Sequence, residues 1–270
     1  MSYHQTGSGV TGGELCQYSG SKLWFRGPAN ALDGPYVACV GMDETFGRFV
    51  EHPYPAVLQD KLRKTCVNLG SLFSGVDAIL GDDGLLELIN GSQICVLQLP
   101  EMHGQSNRFY RVHPRRNDRF LAPTPDLLAL YPEIDFTEIN FVRHLLNRLQ
   151  ANQDARFEMV ALELQEGWVK AMKTLLLNIE IPVFLLHLTV GRVQLVEDTL
   201  IQISDAMLGQ LRPFAAKMVK AEVAVSGASE WLEDVLFGTL QQPMAEHMIG
   251  PAAHRAIADA ILPDLRDMND

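Results

Sequence analysis

Five short apolar runs punctuate the chain, and each is bounded by turn-forming or polar residues. They lie at Tyr36–Met42, Thr65–Leu69, Ile94–Leu99, Ile181–Leu188 and Val219–Ser226. Continuous apolar runs of this length are typical of strands buried on both faces. Segments with helical spacing separate the runs, which favours parallel strands joined by right-handed crossovers. The pattern therefore predicts an α/β fold, a three-layer α/β/α sandwich around a five-stranded parallel sheet.

Apolar positions at helical spacing predict helices over 49–64, 84–90, 154–178, 204–216 and 230–237. A further helix is expected to open at the capping box 135–138, and the last one at Gly250-Pro251, where proline suits the first helical position.

Outside these elements the chain divides into an arm, a domain and an insertion. Residues 1–34 are rich in Gly, Ser and Asn and predict an irregular N-terminal arm. Residues 35–265 form the predicted α/β domain, which contains a long insertion loop at about 100–135 with five prolines. In open parallel sheets ligands bind beyond the carboxyl ends of the strands, so the functional residues are expected in the loops that follow them.

The overall charge narrows the classes of partner. The formal net charge is −11, which argues against nucleic-acid or anionic-membrane binding and favours a small-molecule partner. The N-terminus has no readable signal peptide and no apolar run is long enough to cross a bilayer, so we expect a cytoplasmic protein. Four separated cysteines and no cluster with metal-ligand spacing lead us to expect neither a metal nor a cofactor. The oligomeric state stays open.

Three segments carry a resemblance to a known family. The first strand ends in Gly41-Met-Asp-Glu-Thr-Phe-Gly47, which resembles the GDSxTxG opening of the SGNH (GDSL-type) hydrolase superfamily. Val67-Asn-Leu-Gly70 resembles that family's second block, and the run that begins Gly250-Pro resembles its fifth. The resemblance covers about 36–263 and implies an SGNH-type hydrolase frame.

The resemblance also implies candidate site residues, with one important departure. Asp43 stands where the family has its nucleophilic serine, so the catalytic set is altered. Gly70 and Asn107 fall near the positions of oxyanion donors, and His247 or His103 would act as the base. Glu44 beside Asp43 makes an acidic pair that is open to either an acid–base or a structural role.

A second cluster lies in the insertion. The segment from Ser106 to Arg119 contains five arginines, namely Arg108, Arg111, Arg115, Arg116 and Arg119. Guanidinium groups bind carboxylate, sulfate and phosphate with two-point geometry, which predicts a site for an anionic or sugar-containing molecule. The alternative is a solvated loop whose arginines pair with the protein's own carboxylates, such as Asp118. This segment also resembles a bacterial protein family, and that resemblance implies no particular activity.

Two principal hypotheses follow from the sequence. The first is an SGNH-like hydrolase or acyl- or sulfuryl-group enzyme with an altered catalytic set, acting on an anionic or sugar-containing substrate. The second is a catalytically inactive SGNH-fold binding module for an acidic metabolite or a glycan. A third hypothesis is a protein that serves only in interaction or assembly. His254, in the last helix, is expected to pack on the sheet without a catalytic role.

Overall fold

The computed structural model describes residues 14–152, 154–191, 201–227 and 242–268. Its strands are β1 Leu15–Cys16, β2 Phe25–Arg26, β3 Tyr36–Gly41, β4 Thr65–Gly70, β5 Ile94–Gln98, β6 Tyr110–His113, β7 Arg116–Pro123, β8 Val183–Gly191 and β9 Lys217–Ala224. Its α-helices are α1 Asp43–Phe46, α2 Tyr54–Leu62, α3 Val76–Leu80, α4 Asp83–Asn90, α5 Pro125–Leu130, α6 Val142–Asn152, α7 Asp154–Leu177, α8 Asp205–Leu211, α9 Gln242–Ala245 and α10 Pro251–Asp267. A short 3-10 turn, Arg212–Phe214, follows α8.

The main sheet has five parallel strands in the order β4-β3-β5-β8-β9. The predicted α/β fold with a five-stranded parallel sheet is therefore confirmed. The chain moves outward from β3 to β4 and then returns to the other side of β3 as β5. Such a reversal leaves a crevice at the carboxyl ends of the two central strands, where the connections diverge.

Alternate residues of the central strands feed two separate cores. Val37 and Cys39 pack in the core beneath α2 and α10, whereas Ala38 and Val40 pack in the core beneath α3, α4, α7 and α8. Because successive side chains of a strand point to opposite faces, a strand that is apolar at every position is covered on both sides. The sheet is thus the middle of three layers.

The insertion is folded, which corrects the expectation of a long loop at about 100–135. β6 and β7 pair as an antiparallel hairpin, and α5, α6 and the first half of α7 pack around it. Its apolar core is distinct from those of the sheet and includes Tyr110, Phe120, Tyr131, Leu145 and Val160. We call residues 106–164 the cap. The sequence hid the hairpin because charged residues occupy much of both strands.

One predicted helix begins later than expected, and another falls on residues that the structure does not describe. The helix after the capping box begins at Val142, because Asp135 Oδ1 accepts hydrogen bonds from Thr137 N and Oγ1 in a local turn instead. The helix expected at 230–237 lies outside the described residues.

One carboxylate collects several hydrogen bonds from the N-terminal arm. β1 and β2 form a short antiparallel pair, and Asp82, the N-cap of α4, accepts hydrogen bonds from Ser21 Oγ and from the Lys22 and Leu23 amides. Among the described helices none has the length and apolar character needed to cross a membrane.

The backbone packs closely around Gly70 at the end of β4, and a substitution there tests this packing. A Cβ built on Gly70 would lie 2.3 Å from the backbone nitrogen of Phe46, which is fixed in α1. We expect Gly70→Ala to lower the free energy of unfolding by about 2–3 kcal/mol, as overpacking against backbone does. Urea unfolding followed by circular dichroism measures the change. Gly209→Ala in α8, where a Cβ meets open space, is the matched control and should be neutral or stabilising by roughly 0.5–1 kcal/mol. Equal effects would contradict the packing argument.

His254 gives an acid-sensitive contribution to stability. Its Nδ1 accepts a hydrogen bond from Tyr54 N at 3.1 Å, and burial lowers the pKa of His254 to about 3. Below about pH 6.5 the imidazole binds a proton in the unfolded chain but stays neutral in the folded protein. The free energy of unfolding therefore falls by about 1.4 kcal/mol per pH unit as the pH decreases. We expect His254→Asn, which keeps an acceptor but cannot protonate, to show a shallower fall in unfolding free energy between pH 6.5 and 4. Parallel curves for variant and wild type would refute this.

Candidate functional site

A cavity of about 580 Å³ opens at the carboxyl ends of the parallel strands. Its walls come from the loops after β3, β4 and β5, from the end of β8, from the segment before α10 and from the cap. The lining residues that carry chemistry are Asp43, Glu44, Glu101, His103, Asn117, Asp118, Arg143 and His247. Its apolar lining residues include Phe73, Phe141, Val190, Met244 and Ile249. This position is where parallel α/β sheets bind ligands.

The loop that carries Asp43 is fixed by a buried amide on the neighbouring central strand. Gln98 Oε1 accepts hydrogen bonds from Thr45 Oγ1 at 2.6 Å and from Met42 N at 3.3 Å, and its Nε2 donates to Glu44 Oε2 at 2.8 Å. Gly41 permits this approach, since a Cβ there would lie 2.1 Å from Thr45 Oγ1. The glycine and threonine of the motif therefore serve to seat Asp43 at the head of α1.

At the other end of the motif, Gly47 closes α1 in the left-handed conformation, with φ at 66°, and its N–H donates to the Asp43 carbonyl. The Arg26 guanidinium donates to the carbonyls of Phe46 and Gly47 and, at 3.2 Å, to that of Glu51. These bonds satisfy carbonyls that the short helix leaves without intrahelical partners. Hydrogen bonds from Arg26 thus attach the N-terminal arm to the motif.

The Asp43 carboxyl holds its proton near neutral pH. Burial, together with the negative charges of Glu44, Glu101 and Asp118, raises its pKa to about 7, although a hydrogen bond from Phe73 N opposes the rise. A carboxyl that is part protonated at neutral pH can donate or accept a proton during a reaction. Asp43 accepts only this backbone hydrogen bond, and it makes no contact with a histidine among the described residues.

Phe73 supplies that hydrogen bond at a conformational cost. Its φ is 59°, in the left-handed region that a residue with a bulky side chain rarely adopts. Three contacts hold it there: its N–H donates to Asp43 Oδ2 at 2.8 Å, its carbonyl accepts from Asn117 N at 2.9 Å, and the Arg116 guanidinium lies 4.4 Å from its ring centre. Strain of this kind collects at functional sites and is maintained by the surrounding structure.

The two predicted histidines line the same cavity as Asp43 but in different settings. His103 Nε2 lies 3.1 Å from Glu101 Oε2, and its side chain is 21% exposed. A carboxylate at this distance orients an imidazole, as in acid–base sites. His247 is exposed at the rim, in the segment that precedes α10.

The two predicted oxyanion donors do not line the cavity. The Gly70 amide donates to Asn68 Oδ1 at 2.9 Å. Asn107 Nδ2 donates to the Gln105 carbonyl, and its Oδ1 accepts from the amides of Phe109 and Tyr110. Both donors are used inside the fold, so the geometry assigns Gly70 and Asn107 to local structure.

The five arginines of the insertion do not form one site, because the hairpin distributes them. Arg108 pairs with Asp126, Arg111 donates to the carbonyls of Asn107 and Tyr110, and Arg115 lies exposed in the turn. Arg116 and Arg119 flank Asp118, with N···O distances of 3.2 and 3.9 Å. None of the five lines the cavity, and four of them contact the protein's own acceptors, which corresponds to the alternative considered for this segment.

Sequence reasoning missed Glu101 and Arg143 as residues of this site. Glu101 follows β5 by three positions and precedes His103 by two, so its place beyond a strand end was a readable signal. Arg143 lies in the first turn of α6, far along the chain, and carried no such signal. Across the described ranges no group of three or more His, Cys, Asp or Glu side chains is arranged to hold a metal ion.

Comparison with known proteins identifies the family. The family described as "Domain of unknown function (DUF6473)" matches residues 1–269. The chain belongs to the DUF6473 family. No curated protein matches this DUF6473 member. A crystal structure of the lipase Lip_vut3 from a goat rumen metagenome is similar to it over 84% of this chain and 96% of that chain, with a TM-score of 0.42 and 10% identity.

The raised pKa of Asp43 predicts a pH-dependent cost to stability. The unfolded carboxyl has a pKa of about 4, so stability that is fully present below pH 4 is lost as the pH rises through about 7. We expect Asp43→Asn, which resembles the protonated acid, to be about 2–4 kcal/mol more stable than wild type at pH 8 but equally stable at pH 4. Urea unfolding at both pH values measures the difference.

Asp126→Asn is the matched control for this prediction. Asp126 is an exposed carboxylate that pairs with Arg108 outside the cavity, so its variant should show no gain at pH 8. A gain of the same size at both pH values for Asp43→Asn would contradict the assigned protonation.

Proposed function

We propose that this cavity is a hydrolytic active site on an SGNH-like frame, in which acid–base side chains act in place of the usual serine nucleophile. The observation that carries the proposal is the placement of a carboxyl with a pKa of about 7, Asp43, in the same cavity as the Glu101–His103 pair. A carboxyl that can give a proton and an oriented imidazole that can accept one, in the same cavity, are the arrangement that acid–base catalysis needs.

The SGNH-like part of the proposal is supported by the motif and the strand order. Gly41, Thr45 and Gly47 have defined structural tasks around Asp43, and the strand order β4-β3-β5-β8-β9 is that of flavodoxin-like sheets. The catalytic roles differ from those that the resemblance implied. Asp43 acts as a proton donor rather than as a substitute nucleophile, and water is the nucleophile.

The reaction then proceeds by two proton transfers. His103, oriented by Glu101, accepts a proton from a water molecule as the water oxygen bonds to the electrophilic carbon. Asp43 gives its proton to the leaving oxygen as the carbon–oxygen bond breaks. His103 then returns its proton to solvent and the Asp43 carboxylate takes one up, which restores both groups. His247 is the alternative base, since it lines the same cavity.

The lining favours a small substrate that is rich in hydroxyl groups. Three carboxylates, those of Glu44, Glu101 and Asp118, are hydrogen-bond acceptors around the cavity, and the protonated Asp43 carboxyl can both donate and accept. Aromatic and aliphatic side chains supply an apolar wall on which the carbon face of a sugar can pack. An ester or glycoside of a sugar-like molecule therefore fits better than an apolar lipid.

A binding module for a glycan or an acidic metabolite is the second candidate. One observation favours it: Ser74, the only hydroxyl among the described cavity-lining residues, donates to the Ser71 carbonyl at 2.8 Å. The site then holds its ligand without transforming it. Ligand binding without turnover in any substrate of the panel below would favour this candidate.

The test is hydrolysis of a panel of sugar esters and glycosides by wild type, Asp43→Asn and His103→Gln. We expect the kcat of Asp43→Asn to fall by roughly 100-fold or more for substrates with an alkoxide leaving group. The fall should be smaller for p-nitrophenyl substrates, because p-nitrophenolate leaves without a proton. Wild-type activity should decline as the pH rises through about 7, since Asp43 then loses its proton, and Asp43→Asn should lack this decline.

Two controls separate the roles. Asp126→Asn should leave kcat unchanged, since its carboxylate lies outside the cavity. His247→Gln should retain activity if His103 is the base, and loss in His247→Gln with retention in His103→Gln would reverse the assignment. Unchanged kcat in Asp43→Asn for every substrate would reject Asp43 as the acid.

A further inference from the structure

We infer that Arg143 forms a subsite for an anionic substituent of the substrate, so that the ligand is a hydroxyl-rich molecule that also carries a carboxylate or a similar group. This inference rests on the proposed function, because it concerns the orientation of a molecule in the same cavity. Arg143 lies in the cap and lines the same cavity as Asp43 and His103, and it was not among the arginines that the sequence singled out.

The start of α6 is fixed in place, which positions Arg143 at the cavity. Phe141 bridges to Arg119 of β7, and Phe120 N donates to the Asn140 carbonyl at 3.1 Å. The Arg119 guanidinium lies 4.1 Å from the centre of the Phe141 ring, which itself lines the cavity. Two residues later, Arg143 lines the same wall on a helix whose register these contacts set.

Within the described ranges, the charge of Arg143 is not used by the protein's own side chains. Its side chain is exposed and has no ion-pair or hydrogen-bond partner within the described part of the chain. The carboxylates of the cavity have other partners: Glu44 accepts from Gln98, Glu101 lies beside His103, and Asp118 lies between Arg116 and Arg119. Arg143 is the one lysine or arginine among the cavity-lining residues that the structure describes.

The cavity therefore combines the carboxyl groups of Asp43, Glu44 and Glu101, on the loops that follow the strands of the sheet, with the Arg143 guanidinium on the cap. The one cap carboxylate in the lining, Asp118, is already flanked by Arg116 and Arg119. A guanidinium offers a fork of donors that matches a carboxylate in two-point geometry. A ligand with hydroxyl groups at one end and an anionic group at the other satisfies both sides at once. A ligand with an anionic group facing Asp43, Glu44 and Glu101 would meet like charges instead. This is the chemistry of an acidic sugar or a sugar-like hydroxy acid.

The experiment compares D-glucuronate with D-glucose by isothermal titration calorimetry. Neither free sugar contains the bond to be cleaved, so wild-type protein can be used and turnover does not interfere. We expect glucuronate to bind wild type roughly 10- to 100-fold more tightly than glucose, as a charge-assisted bidentate contact provides. Arg143→Gln should remove this preference and leave glucose affinity unchanged, and Arg143→Lys should restore part of it.

Arg148→Gln is the matched control, since Arg148 is an exposed arginine on the same helix but does not line the cavity. Its variant should bind glucuronate as wild type does. Equal affinity of wild type for the two sugars, no binding of either, or an equal loss in Arg148→Gln would overturn the inference. The hydrolysis assays with Asp43→Asn judge the proposed function separately, so either idea can fail while the other stands.

Discussion

The hydrogen-bonded amide of Gln98 is the constraint on which the arrangement of the cavity depends. It lies at the end of a central strand, buried, and holds both Thr45 and the Met42 amide. A buried amide that is satisfied on both its oxygen and its nitrogen fixes its neighbours, because any rearrangement would leave a polar group without a partner. The head of α1, and with it Asp43, is therefore held against the sheet rather than on a mobile loop.

The price of this arrangement is visible in two places. Asp43 is kept among other carboxylates, where its ionised form is disfavoured, and Phe73 is kept in a backbone conformation that suits glycine better. Neither feature helps the chain to fold. A carboxyl and a strained backbone that meet through one hydrogen bond in a cavity are features that collect at functional sites, and they agree with the role proposed for Asp43.

The sequence was sufficient for the sheet because strands covered on both faces are apolar at every position, as in Val37–Val40. It also brought Asp43 forward through the motif at the end of β3, and His103 as a candidate base in the segment after β5. It could not find the cap, because β7 opens with four consecutive polar residues, Arg116-Asn-Asp-Arg119. It could not find Arg143 either, because the position of that residue at the cavity depends on the bridge between Arg119 and Phe141. The arginine-rich segment led to a wrong expectation of one anion site for a related reason. Composition gives the number of guanidinium groups, but pairing within the hairpin decides which of them remain available to a ligand.

Helix α7 links the two halves of the molecule in one continuous piece. Its first turns pack Phe157, Val160 and Leu164 into the cap, and its later turns pack Trp168 and Met172 against the sheet. At 24 residues it extends about 36 Å without interruption. The cap consequently cannot be excised or transplanted as a module without cutting a helix whose later turns, with Trp168 and Met172, cover one face of the sheet. Local melting at either end of this helix would be felt at the other, so hydrogen exchange in both halves should report one cooperative unit.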